Sequence, residues 1–438
     1  MDDDKTDAPI RLLQELIRYD TTNPPGNERR LVEHVERICR DAGMETELLA
    51  KDAERPNLIA RLPGSGTAPP LLLYGHADVV TAHGQPWSRP AFSGEIADGC
   101  VWGRGAIDMK GGLAMMIAAI LRLRQRGIEP AGDVLLAVVS DEEAGGTYGA
   151  RFLVEQHAAR FSGVRYALGE FGGFPLTVAG RTFYLVQVAE KASLGLTVRL
   201  TGPAGHGAFP MRNGAMARAG RLLARLDRRA LPVHITPVVH RMIQTMTEAL
   251  PFLPRVVLRQ LLHPRRASWI LKVLGSTGRT FEPLLRNTVN ATLIHGGEKQ
   301  NVIPSRIDIG LDARLLPGFG PDNVIAELAN VVGHDVTVEA SPHNPGPSGV
   351  DLGLFDALAD ALRRERPEAL VVPFLLPATT DARFFSRIGI QSYGFTPMNS
   401  VPGGSFFDIV HGANERIAVD ALAFGTTVLT TLLTRYGR

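Results

Sequence analysis

The apolar positions in the first 190 residues change period repeatedly. From residue 11 to 42 they recur at helical spacing: Leu12, Leu13, Leu16 and Ile17, then, past a Pro-Pro-Gly turn, Leu31, Val32, Val35 and Ile38. Residues 57–62, 71–74 and 134–139 are short, largely apolar runs that read as buried strands. Between the last two, residues 111–126 carry a helical pattern that ends in a basic turn and a glycine. Strand, long crossover helix and strand predict an α/β fold with a mixed, mostly parallel sheet and helices on both faces. In such sheets functional groups collect beyond the carboxyl ends of the strands.

The texture changes near Glu190. Residues 194–200 alternate, residues 215–226 are helical in pattern, and residues 290–294, 307–311 and 336–338 read as strands. This order predicts an α+β domain of ferredoxin-like type at 191–342, inserted into a domain made of residues 1–190 and 343–438. Within the insert, residues 236–279 are rich in Leu, Val, Met and Arg. They predict amphipathic helices that complete a hydrophobic core, or else an apolar cover over a substrate site or a membrane-facing patch.

Composition narrows the function classes. The chain of 438 residues carries 47 Lys and Arg against 45 Asp and Glu, a balance of +2. That leaves no global field for nucleic acid or anionic membranes. His263-Pro-Arg-Arg266 is one short basic cluster without a base-stacking aromatic platform. Two cysteines, Cys39 and Cys100, exclude a disulfide framework and a thiolate metal site. The acidic opening residues are unlike a secretory signal, and the apolar runs fall short of the roughly 20 residues that span a bilayer. A soluble, cytoplasmic protein without an integral membrane segment is the expectation.

Candidate chemistry gathers where predicted strands end. His76 and Asp78 lie two apart past the 71–74 run, where side chains share a face and a carboxylate can orient an imidazole. Asp108 sits in the Gly-rich string Trp102-Gly-Arg-Gly-Ala-Ile-Asp108-Met-Lys-Gly-Gly112, where a dinucleotide fingerprint would need glycine. Asp141, Glu142 and Glu143 follow the 134–139 run; three adjacent acids are costly unless a cation compensates them, and otherwise make a solvated helix start. Glu170 ends a further apolar run, and His411 lies near the far end. Two histidines and at least three carboxylates fit a pair of zinc ions about 3.5–4 Å apart.

These residues carry a family resemblance. The chain resembles the co-catalytic zinc hydrolases that include aminoacylases, glutamate carboxypeptidases and succinyl-diaminopimelate desuccinylase. The match is densest in Gly75-His-Ala-Asp-Val-Val80, Trp87, Pro90, Phe92, Asp98-Gly, Gly103-Arg-Gly105 and Asp108-Met-Lys-Gly-Gly112. Gly202-Pro-Ala-Gly-His206, Asn301-Val-Ile-Pro304, Asp312-Ala-Arg314 and the His411 segment follow in family order. The resemblance implies that His76 and Glu170 hold one zinc, Glu143 and His411 the other, and Asp108 bridges them, with cobalt or manganese as possible substitutes. It implies that Asp78 orients His76 and that Glu142 is the general base for a metal-bridging hydroxide. It further implies that His206 and Asn301 complete the site of a partner subunit in a homodimer. Arg314, with Gly403 and Gly404, would bind the substrate carboxylate.

Residues 178–207 are most similar to the branch containing the Gly-X carboxypeptidase and N-fatty-acyl-amino-acid hydrolases. The resemblance thus implies cleavage of N-acyl amino acids or carboxy-terminal dipeptides, with residues 236–279 either lining an acyl pocket or buttressing the insert. A metal-free, non-catalytic amino-acid-binding protein on the same scaffold is the alternative, and its degenerate ligands are absent from the seven metal and base positions.

Overall fold

The computed structural model describes residues 3–333, 336–343, 346, 349–403 and 406–438. Two compact units emerge: Met1–Val188 with Val350–Phe374 and Thr380–Arg438, and Ala189–Gly349 with Leu375–Thr379.

Among the described residues, nine strands form the sheet that begins in the first unit. Its order runs Glu45–Ala50, Pro56–Leu62, Val134–Val139, Leu71–His76, Tyr166–Gly169, Gln391–Gly394, Arg181–Glu190 and Leu370–Leu376, with Phe174–Val178 paired off the path. The strand Leu71–His76 is parallel to both its neighbours, Val134–Val139 and Tyr166–Gly169, and Gln391–Gly394 is parallel to Tyr166–Gly169. The pairings of Glu45–Ala50 with Pro56–Leu62, Pro56–Leu62 with Val134–Val139, Gln391–Gly394 with Arg181–Glu190 and Phe174–Val178 with Arg181–Glu190 are antiparallel. The continuously apolar strands have no polar face, so the sheet needs cover on both sides. Every residue of Leu71–His76 and Val134–Val139 is buried. The crossover helix Lys110–Gln125 is buried over most of its length, and packs on the helices Asp3–Ile17 and Val419–Arg435.

In the second unit the strands Ala192–Thr201, Thr288–His295, Arg306–Leu315 and Thr337–Ala340 form an antiparallel sheet. Its spatial order is second, third, first, fourth, with the helices Ala215–Arg228 and Pro321–Val332 in the crossovers. That is the ferredoxin-like arrangement. Alternate residues of Ala192–Thr201, from Leu194 to Leu200, meet Ile307, Ile309, Leu311 and Ala313 in one core. Residues 236–284 form the helices Pro237–Ala249, Phe252–Arg259, Pro264–Val273 and Ser276–Phe281. Val239, Met242, Ile243, Met246, Leu261 and Ile270 are buried, so these helices supply a hydrophobic core of their own.

Candidate metal centre

Three neighbouring strands deliver side chains to one edge of the first sheet. His76 closes Leu71–His76, Glu142 and Glu143 lie in the short 3₁₀ turn Glu142–Ala144 just past Val134–Val139, and Glu170 follows Tyr166–Gly169. Asp108 comes from the glycine-rich loop before Lys110–Gln125, where Gly105 has φ of +86°. A Cβ at Gly105 would approach Val79 Cγ1 to 2.9 Å, so the loop closes on the strand end only with glycine there. His411 follows the short helix Phe406–Ile409.

His76 Nε2 lies 3.0 Å from Asp108 Oδ1 and 3.2 Å from Glu170 Oε2. His411 Nε2 lies 3.0 Å from Asp108 Oδ2 and 3.3 Å from Glu143 Oε1. Two three-residue donor groups result, His76–Asp108–Glu170 and Asp108–Glu143–His411, each with its donor atoms within 4.8 Å of one another and sharing Asp108. Glu142 belongs to neither. Its side chain is 12% exposed, and its nearest cationic partner is Arg383, whose Nη1 is 4.0 Å from Oε1.

Asp78 is fully buried and does two things. Its main-chain carbonyl stands 2.9 Å from His76 Nδ1, and its Oδ1 is 3.6 Å from the same nitrogen. Its carboxylate accepts the backbone N–H of Glu142 on Oδ1 and that of Glu143 on Oδ2, each at 3.1 Å. Asp78 thereby ties the acid turn to the strand that carries His76. Asn23 Nδ2 donates to both Asp78 Oδ2 and Asp141 Oδ1, and Arg55 joins Asp141 to Glu28. Asp141, Phe171 and His411 have positive φ of 69°, 60° and 61°, a conformation that costs non-glycine residues about 1–3 kcal/mol and gathers at functional sites.

With this geometry in place, the comparison with known proteins is decisive: residues 72–435 match the model of peptidase family M20/M25/M40. The chain belongs to this family. It is similar to the "probable carboxypeptidase S-like 2" of Dictyostelium discoideum, 27% identical over 80% of this chain and 68% of that protein. It is equally similar to the human "N-fatty-acyl-amino acid synthase/hydrolase PM20D1", 27% identical over 80% of this chain and 71% of that protein. A solved M20 family metallo-carboxypeptidase from Sulfolobus solfataricus shares the fold, with a TM-score of 0.71 at 18% identity, covering 98% of this chain and 99% of that one. The M20 chain is therefore a metal-dependent hydrolase of amide bonds.

The donor set fits the divalent cations of an M20 enzyme. Asp108, Glu170 and Asp381 are buried and Glu142 and Glu143 are partly buried beside them, and the protein sets against these acids two imidazoles and the Arg383 guanidinium. Burial, reinforced by Asp108, pushes the Glu170 carboxyl well above the usual range; burial with Glu170 and Asp381 does the same to Glu142. Burial raises His76's cost of charging, yet Glu170 and Asp108 together lift it well above the ordinary histidine range. Hydrogen bonds to Asp108 and Glu143 raise His411 to about 10. Bound cations would relieve the crowding of acids by replacing protons on the carboxylates and imidazoles.

The Glu142 and Glu143 side chains are thus largely enclosed, 12% and 7% exposed, although the turn itself reaches the surface at Ala144. Of the other candidate residues of the M20 chain, His206, Asn301 and Arg314 lie in the second unit, and Gly403 in the first. His206 and Asn301 sit side by side in the two-stranded ribbon Gly205–His206 with Val302–Ile303, where Gly207 N donates to Asn301 O at 2.8 Å, and both side chains are exposed. Arg314 is half-buried; it pairs with Asp312 at 3.0 Å and its Nη1 donates to Thr379 Oγ1 at 3.2 Å. Gly403 is exposed with φ of +83°, and Gly404 lies outside the described residues.

Two supporting groups escape the sequence reading. Glu415 is completely buried and accepts the backbone N–H of Gly105, Ile107 and Asp108 along with Arg104 Nη1. It anchors the loop that presents Asp108. Asp381, 1% exposed, has no hydrogen-bond partner on either oxygen among the described residues and is pushed up to about 7 by burial. Its signal was present: like the other acids it follows an apolar strand, Leu370–Leu376.

Proposed function

We propose that this M20 hydrolase cleaves the amide bond of a hydrophobic N-acyl amino acid or a carboxy-terminal dipeptide at a two-zinc site, with cobalt or manganese as possible substitutes. The observation that carries the reading is the pair of donor groups sharing Asp108, with the largely enclosed Glu142 part of neither. In this reading His76 and Glu170 hold one ion, Glu143 and His411 the other, and Asp108 contacts both. The ions, when bound, lower the pKa of water and polarise the scissile carbonyl.

Glu142 takes the proton of the attacking water on its carboxylate and returns it to the departing amine nitrogen. Without ions, burial and the neighbouring Glu170 and Asp381 raise its carboxyl; bound cations would favour the ionised form, which can accept the proton. Asp78 keeps Glu142 and Glu143 in register through their backbone N–H groups. His206 donates to the developing oxyanion, and Arg314 with Gly403 and Gly404 binds the substrate carboxylate. Exposure of His206 and Asn301 supports their service to a partner subunit. So does the strand Thr288–His295, an edge unpaired among the described residues, which exposes Leu293 and Ile294 and would accept a second copy in a homodimer. Two buried free cysteines support a reducing, cytoplasmic setting.

The fatty-acyl and carboxypeptidase names of the relatives support the substrate class. A series from N-acetyl to N-lauroyl amino acids tests it: kcat/KM should rise with chain length, and a flat or falling series would sink the hydrophobic-acyl reading. Glu142→Ala should lower kcat by about 10²–10⁴-fold while zinc content, measured on the same sample, stays at the wild-type level. Loss of zinc along with turnover would make Glu142 structural. A metal-free binding protein would instead keep full ligand affinity in chelator.

A further inference from the structure

The helices Phe252–Arg259 and Pro264–Val273 each bury one side and carry large apolar side chains on the exposed side opposite it. On the first, Leu258 is buried, while Phe252 and Leu253 are 73% and 72% exposed and Val256 is exposed beside them. At 3.6 residues per turn these three fall within an arc of about 100°. On the second, Ala267, Ile270 and Leu271 are buried, while Trp269, 65% exposed, and Val273 point outward one turn apart. Arg259 shares the outer arc of the first helix, and Arg265, Arg266 and Lys272 that of the second.

Charge in this segment is one-sided. Between Glu248 and Glu282 the chain carries Arg255, Arg259, Arg265, Arg266, Lys272 and Arg279 and no acid. Among the described residues none of the six forms an ion pair; Arg255 and Arg266 bond only to neutral oxygens, and the others stand in solvent. The whole-chain balance of +2 conceals this patch. Exposed aromatic and aliphatic side chains interleaved with unpaired cations are the surface of an interfacial helix, in which the apolar groups enter the acyl boundary and the cations meet lipid phosphates.

We propose that these two helices dock the protein on an anionic lipid bilayer. A second copy is a poorer occupant, because an isologous contact would bring the same cations face to face. A nucleic acid would leave Leu253, Val256 and Val273 without an apolar partner. The proposal rests on the hydrophobic-acyl reading only for its purpose: a bilayer concentrates amphiphilic acyl substrates, and bound enzyme would draw on that pool.

The test is sedimentation of the full chain with phosphatidylcholine vesicles and with vesicles containing one quarter phosphatidylglycerol, read as bound fraction without any turnover. Tight binding to the anionic vesicles, weakening as salt rises, is expected. Arg265→Gln with Lys272→Gln should weaken it on the order of 30-fold, and Phe252→Ser with Trp269→Ser should remove it. Both double variants should keep the wild-type thermal unfolding profile; the charge pair, being exposed, keeps the test valid if the apolar pair misfolds. Equal binding to neutral vesicles, no binding, or unchanged binding by the variants would overturn the proposal. A drop in oligomeric mass of the variants without vesicle binding would assign the face to a second copy, and preference for duplex DNA over vesicles would assign it to nucleic acid. A failed acyl-chain series with intact vesicle binding would overturn the substrate reading alone.

Discussion

Two neighbouring parts of the first unit handle buried charge in opposite ways. Glu415 is surrounded by donors: Oε1 receives the N–H of Ile107 and Asp108, and Oε2 receives Gly105 N and Arg104 Nη1 at 2.7 Å. Arg104 in turn gives its remaining Nη2 to Gln85 and to the carbonyls of Thr81 and His411, with its guanidinium over the Trp87 ring. Asp108, one loop away, is as deeply buried, but its carboxylate faces His76 and His411, and those imidazoles face Glu170 and Glu143. A buried carboxylate with its donors supplied by the chain is part of the scaffold. Several buried carboxylates converging on common points, with donors undersupplied, make a place for a cation.

Removing Asp108 breaks the second arrangement most completely. Asp108→Ala should lose both ions and lower kcat by at least about 10⁴-fold, since enzymatic accelerations begin near 10⁶. Metal analysis separates this from His411→Ala, which leaves the His76–Asp108–Glu170 group whole and should retain one ion per chain. Glu415→Ala attacks the first arrangement and should cost about 3–5 kcal/mol of stability by denaturant unfolding, because Arg104 is left charged and unpaired in the interior. Glu415→Gln, which keeps one acceptor oxygen, should cost less. Zinc at 100 times its dissociation constant should restore about 2.7 kcal/mol per site to chelated protein, and Asp108→Ala should show none of that gain.

What could be read along the chain was whatever depended on local order. The apolar runs that become Leu71–His76 and Val134–Val139, and the crossover helix between them, follow from period and length, and they place His76, Glu142 and Glu143 at one sheet edge. The ferredoxin-like order of the second unit was legible for the same reason. Glu415 was not, because its partners Gly105, Ile107 and Asp108 lie more than 300 residues away and nothing in its own segment separates an anchor from a surface acid. Asp78 was legible as a neighbour of His76, but its hold on the Glu142 and Glu143 backbone depends on a parallel pairing that period alone does not register. For Phe252–Arg259 and Pro264–Val273 the pattern left core and outward-facing apolar patch as alternatives, since an apolar helical pattern does not say which side another element will cover.

Asp381 stands between the two arrangements and gives the smallest effect. It has neither the donors of Glu415 nor a place in a donor group, and burial moves its carboxyl from the ordinary 3.8 to about 7. Across that window the folded chain keeps a proton that the unfolded chain has released, so raising the pH favours unfolding, and the stability of chelated protein should fall from about pH 4 to about pH 7. Asp381→Asn cannot release the proton, so its melting temperature should fall less steeply across the same window, the remaining slope coming from the raised Glu142, Glu143 and Glu170 carboxyls. Loading zinc should also shrink the slope, because cations beside Glu142 favour the ionised form of the acid next to it. An Asp381→Asn profile that superimposes on wild type throughout would mean that Asp381 is already ionised in the folded chain, with a donor supplied by water, and would move it to the side of Glu415.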